Sequence, residues 1–224
     1  MRNEKPIIFG SEMVKAVLSG YKTQTRRVIK RPEQWMIEFD GEAHRASDQY
    51  GDSYDILEVC PYGKIGAQLW VREKWRIGAW NENGEIAIDY ANGDCLPYVE
   101  VPDPDAHEKL WIQCTDECIK KGVEENEEGH YSWDKGSSPL KWRPSIFMPR
   151  WASRIQLEIT DIRVERVQDI TDSNATAEGI VTAPTSIVTP RMSFKKLWDS
   201  INAKRGYSWD KNPWCWCLTF KVIK

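Results

Sequence analysis

The stretch Gly20-Tyr21-Lys22-Thr23-Gln24-Thr25-Arg26-Arg27 decides how this chain is read. Before it, Met13, Val14, Val17 and Leu18 recur at helical spacing, with Ser11 placed to cap the start and Glu12 in the first turn. Gly20 fits the left-handed position that ends a helix. A strand is expected from near Thr23. Alternate side chains of a strand share a face, so Thr23, Thr25 and Arg27 point one way and Lys22, Gln24 and Arg26 the other. At the first residues of the strand a turn can still bring Lys22 beside Thr25. Such a pair can bind an anion, and the lysine can activate the hydroxyl. An ordinary basic hairpin would carry the same residues.

Working outward, Lys5 to Phe9 reads as a short strand, and Pro32 closes the basic segment. Residues 33–55 show no clear period and read as a loop with a short hairpin around Asp40-Gly41. Cys60-Pro61-Tyr62-Gly63 is a turn. Leu69, Val71, Glu73 and Trp75 alternate with Trp70, Arg72 and Lys74, which predicts one strand. Glu73 falls on its apolar face, where a carboxylate needs a partner. It either pairs with a core arginine or serves as a site carboxylate. Asn83-Gly84 predicts a hairpin turn, and a helix is expected over Asp105 to Lys121, capped by Gly122. Cys114 and Cys118 lie one turn apart there. With Cys60 and Cys95 they could hold a zinc, but the spacing fits no ribbon or finger, and buried thiols are the simpler reading.

Trp142-Arg143-Pro144-Ser145-Ile146-Phe147-Met148-Pro149-Arg150-Trp151 interleaves cations, aromatics and prolines. Prolines are expected to hold it extended. Arg143 and Arg150 beside Trp142 and Trp151 suit phosphate contact and base stacking, although the tryptophans could equally plug the core. Ile155, Leu157 and Ile159 alternate and then slip phase to Ile162 and Val164, which predicts a bulge near Thr160-Asp161. Thr171 caps a short helix that runs to Glu178 and stops at Gly179. An acid in the last turn opposes the helix dipole at a cost of roughly 0.3–1 kcal/mol, and Lys22 is a candidate to offset it. Thr189-Pro190 opens a further helix with Phe194, Leu197, Trp198 and Ile201 on its apolar face, ended by Gly206. The last strand sets Trp214, Trp216, Leu218 and Phe220 on one face, and Cys215 and Cys217 on the other, under a helix.

Gly-x-Lys-Thr-x-Thr-x-Arg after a short helix resembles the signature of the ASCH superfamily, whose fold is related to the PUA RNA-binding domain. KPIIFGSEMVKAVLSGYKTQTRRVIK, CPYGKIGAQLWVRE, WRPSIFMPRWASRI, VERVQDITDSNATAEGI and FKKLWDSINAKRGYSWDKNPW look like the phage and prophage branch. The resemblance implies an α+β chain: one PUA-like β-barrel over 1–224, flanked by helices, with residues 77–140 as an acidic insertion that can be shortened. A small bacterial member removes acyl groups from N4 of cytidine with the Lys and second Thr of Lys-Thr-x-Thr and a Glu in the helix after a Thr-led segment. The matching positions are Lys22, Thr25 and Glu178. Thr25 would be the nucleophile, Lys22 its activator or oxyanion partner, and Glu178 the group that orients Lys22 or carries the proton. Arg26, Arg27, Glu73, Arg143, Arg150, Trp142 and Trp151 are the candidates for contact with a nucleoside or RNA. The alternatives are a non-catalytic RNA-binding module, a ribonuclease, and a phage accessory factor acting through protein contacts.

The chain has 224 residues, enough for a substantial core without staples, and twelve tryptophans that need burial or a ligand. No run of 18 apolar residues exists and the first residues lack a signal-peptide core, so no membrane partner is expected and the cytoplasm is the expected location. Six cysteines then read as reduced thiols, and no cofactor or metal is expected. There is no Walker loop, GxGxxG or His-rich box. The net charge of −3 hides an asymmetry: residues 81–130 hold fourteen Asp/Glu against three Lys. The remainder is basic, which suits an anionic partner.

Overall fold

The structure is a computed structural model and describes residues 4–30, 36–39, 44–47, 53–183 and 187–224. Local signals set most of its elements. Strand β1 (Lys5–Ile8) leads into helix α1 (Ser11–Leu18), which ends at Gly20 with φ +76°. Strand β2 (Gln24–Val28) carries the basic segment. Strands β3 (Met36–Phe39), β4 (His44–Ser47) and β5 (Ser53–Asp55) pair antiparallel in that order. The turn expected at Asp40-Gly41 lies outside the described residues, as does Pro32; β3 and β4 pair antiparallel from Met36↔Ser47 to Phe39↔His44.

The expected strand from Leu69 to Trp75 is two strands, β6 (Gln68–Arg72) and β7 (Trp75–Trp80). The break falls at Glu73-Lys74, and Trp75 exchanges both backbone hydrogen bonds with Arg143 instead. Strands β8 (Glu85–Tyr90) and β9 (Cys95–Glu100) follow, joined to β7 in a three-stranded sheet of order β7-β8-β9. Sequence did not suggest β9, because Pro97 lies within it. The proline sits where the register slips on an edge strand, the one place a sheet tolerates it. Helix α2 (Pro104–Lys121) starts on the Asp103 cap and ends at Gly122 with φ +66°. The Trp142–Trp151 segment is not extended throughout. Pro144 and Pro149 each precede a single 3-10 turn, Ser145–Phe147 and Arg150–Ala152, so the prolines set up turns.

Strand β10 (Gln156–Arg166) carries the bulge between Ile159 and Asp161, where the alternation slips. Thr171 Oγ1 caps α3 (Asp172–Ala177) by accepting from Asn174 N at 3.1 Å. Thr189 caps α4 (Pro190–Asn202) in the same way, and β11 (Trp214–Val222) ends the chain. The main sheet has five strands in the order β1-β6-β10-β11-β2. The class is therefore mixed α+β. The sheets are open among the described residues, and no closed barrel is seen.

The chain divides into two compact units. One comprises Met1–Lys5, Ala16–Leu69 and Gln156–Lys224; the other comprises Pro6–Lys15 and Trp70–Ile155. In the first, Cys215 and Cys217 pack with Ala175 of α3 and Phe194 and Trp198 of α4, as their position opposite the tryptophan face suggests. In the second, Ile77, Ile86, Ile88, Val101, Cys114, Cys118 and Leu140 share a core with Trp75, Met148 and Ala152. That core runs past both ends of 77–140. Joining Ile77 to Leu140 through a short linker is expected to uncover part of Trp75, Met148 and Ala152; a melt of the shortened chain would read whether it still unfolds cooperatively.

Burial fixes the thiol chemistry. It pushes Cys114 up to about 12 and raises Cys118, Cys215 and Cys217. Thiols so shifted are poor nucleophiles. An alkylating reagent at pH 8 is expected to modify half-buried Cys95 first and these four only after denaturant is added, as read by peptide mass mapping.

Candidate functional site: a buried lysine–glutamate–arginine cluster

Gly20 lets the chain reverse after α1, and Lys22 N then donates to Ala16 O at 3.0 Å. Lys22 and Glu178 form an antiparallel bridge, and Thr23 N donates to Ala177 O at 2.8 Å. The basic segment is thereby stitched to the end of α3, where Glu178 is the capping residue. Gly179 follows with φ +92°, and a Cβ there would lie 2.9 Å from Ala16 Cβ and 3.1 Å from Lys22 Cβ. Gly179→Ala is expected to cost about 1–3 kcal/mol through backbone strain, plus the displacement of Lys22, and a urea melt would read it.

The side chains complete the cluster. Lys22 Nζ donates to Gln24 O, Glu178 O and Glu178 Oε2, each at 2.8 Å. An ammonium has three N–H groups, and these acceptors match them. Arg26 Nη1 donates to Gln24 Oε1 at 2.8 Å and reaches Glu178 Oε1 at 3.4 Å, while Nη2 donates to Glu165 Oε2 at 2.6 Å. Lys22 is 1% exposed, Thr25 3% and Glu178 5%. Burial lowers the Lys22 pKa, with the Glu178 carboxylate opposing it. Burial also works against the Arg26 charge, but the Cys217 thiol, Glu178 and Glu165 outweigh it and the pKa rises. A lysine whose charged form is disfavoured is closer to giving up its proton, the property an acid–base or nucleophile-activating lysine needs.

Thr25 sits in the same strand, paired with Leu218. Gln24 and Arg26 share the bonded face, so alternation turns Thr25 and Arg27 to the other. Lys22 Nζ nevertheless touches the carbonyl of the peptide that joins Gln24 to Thr25. Burial lowers the Arg27 pKa, with the Tyr62 phenol opposing. The structure thus brings Lys22, Arg26 and Glu178 together, with the Thr25 backbone beside them and the Thr25 side chain on the reverse face.

Gln24, Glu165 and Cys217 belong to the cluster although the sequence did not single them out. Cys217 pairs with Arg26 on one side and Arg163 on the other. Its small side chain leaves room for Arg26 to cross β11 to Glu165, and its Sγ lies 3.5 Å from Glu165 Oε2. Only the register reveals this.

The remaining candidates lie in the second unit. Glu73 is closed by Arg154, whose Nε and Nη2 donate to its two oxygens at 2.9 and 3.0 Å. Burial raises the Glu73 pKa against that arginine. Arg154 also donates to Asp94 Oδ2 at 2.7 Å and stacks 3.9 Å from the Tyr90 ring centre. This is the core-arginine alternative for Glu73. Arg143 lies over Trp75 at 5.2 Å and Arg150 over Trp70 at 5.9 Å, while Trp151 meets Trp75 edge-on. Trp142 keeps 36% exposure, with Arg76 and Lys74 stacked at 4.5 and 5.7 Å.

Among the described residues no group of three His, Cys, Asp or Glu side chains is placed to hold a metal ion. No described helix is long and apolar enough to cross a membrane. Compared with known proteins, the chain matches no family model, no curated protein and no solved structure.

Proposed function

We propose that this is an ASCH-type protein with a PUA-like fold that acts on nucleosides or RNA, and that it hydrolyses the acyl group from N4-acylated cytidine. The observation that carries the reading is the Lys22–Glu178 contact at 2.8 Å, formed by the lysine of the Lys-Thr-x-Thr segment. In the reaction the Thr25 hydroxyl attacks the acyl carbonyl. Its proton passes to Lys22, which reaches the neutral form more readily because it is buried. Lys22 returns the proton to N4 as the cytosine amine leaves. Water then releases the acyl group from Thr25. Glu178 holds the lysine throughout and balances its charge, while the like charge of Arg26 favours the neutral lysine. The contacts of Lys22 and the direction of Thr25 set a condition: substrate must replace one lysine contact, and the start of β2 must part from β11 so that the Thr25 hydroxyl, which leaves from the opposite face of the strand, can turn toward the lysine.

A second reading, a nucleic-acid-binding module, is favoured by Trp142, a partly exposed ring flanked by Arg76 and Lys74. A ribonuclease is a variant of it. The experiment is deacylation of N4-acetylcytidine by wild-type protein, followed by absorbance with and without chelator. The same preparation is titrated with single-stranded RNA at several salt concentrations. Chelator-insensitive turnover supports the hydrolase. No turnover together with salt-dependent RNA affinity supports the module.

A further inference from the structure

The second unit contains a cavity of about 640 Å³ that none of the candidate site residues above lines. Its wall is aromatic. Trp80 sits 6.3 Å from Trp111, 6.2 Å from Tyr131 and 5.8 Å from Trp133, centre to centre. Trp133 is fixed by donating its Nε1–H to Gly78 O. Glu82 and Glu125, both exposed, also line the cavity. Elsewhere tryptophan rings carry a cation: Arg72 lies on Trp70, Arg76 on Trp142, Arg166 on Trp214 and Arg191 on Trp209. Among the described residues no lysine or arginine stacks on Trp80, Trp111, Tyr131 or Trp133.

We propose that this cavity binds an organic cation of the alkylated-ammonium class. Several ring faces around one space attract a diffuse positive charge, and desolvation in a concave site strengthens the attraction. Two carboxylates add charge complementarity that a neutral stacking ligand would not use. The surrounding stretch 81–130, with fourteen acids against three lysines, draws cations toward the cavity and repels phosphates. The inference is independent of the Lys22 cluster.

The test is calorimetric titration of the full chain with choline, with its neutral isostere 3,3-dimethylbutan-1-ol, and with a short peptide bearing trimethyl-lysine. Choline or the peptide is expected to bind at least tenfold more tightly than the isostere, and the stronger of the two identifies a free cation or a modified lysine as the source. The exposed pair Glu82→Gln and Glu125→Gln, made together and checked for an unchanged melt, should weaken that binding severalfold. No binding of either cation, equal binding of the isostere, or wild-type affinity in the glutamine variant would overturn the proposal.

Discussion

Glu178→Ala is expected to lower the unfolding free energy by about 3–5 kcal/mol, the usual loss when a buried charge keeps its desolvation but loses its partner. The Lys22 and Arg26 side chains are both fully buried, and Glu178 is the acid they share. Arg26 retains Glu165, so the loss falls on Lys22. Lys22→Met should cost less, because Glu178 still has Arg26 Nη1 at 3.4 Å. The double variant Lys22→Met with Glu178→Leu replaces both charges by apolar groups and should recover most of the loss. Urea unfolding of wild type, Lys22→Met, Glu178→Leu and the double variant gives the coupling; additive losses would show that the two residues do not act as a pair.

The pH dependence of the same variants has a definite sign. The Lys22 pKa is lowered in the folded state from 10.5, so the unfolded chain binds the proton more strongly. The resulting penalty is fully present below the folded value and fades as pH rises toward the unfolded one. Glu178 opposes the shift, so removing it lowers the folded pKa further. Glu178→Ala should therefore regain part of its lost stability relative to wild type as pH is raised toward 10.5.

What could be read in the sequence is what neighbouring residues decide. Gly20, Gly122, Gly179 and Gly206 end their elements with positive φ, and the slip after Ile159 appears as a bulge. Thr171 and Thr189 cap as their positions suggest. The Lys22–Glu178 meeting was legible in part, because an acid at the end of α3 calls for a cation. What could not be read depends on distant pairing. Arg154 is 81 residues from Glu73, and Arg26 finds Glu165 139 residues away across β11. The alternation through Glu73 suggested one strand because a salt-bridged carboxylate occupies an apolar phase there. The chain leaves the sheet at that point. The direction of Thr25 is likewise set by the start of β2, which decides whether Lys22 and Thr25 share a face.

The second large effect concerns chemistry. Thr25→Val keeps the branch at Cβ and suits a strand, so the fold should survive, yet it removes the hydroxyl that the proposed reaction uses. Lys22→Met should lower kcat at least about 10²-fold beyond any effect of stability, since it removes both the proton carrier and a charge near the developing oxyanion. Glu178→Gln keeps the shape and should lower kcat with little change in KM.

The most direct measurement is single-turnover deacylation of N4-acetylcytidine by wild type and by Thr25→Val, each shown by its melt to be folded at the assay temperature. Wild type should release cytidine, while Thr25→Val should bind the substrate and release none above the uncatalysed rate. Equal turnover by the two proteins would contradict Thr25 as nucleophile and, with it, the reading of the Lys22–Glu178 cluster as a reaction site.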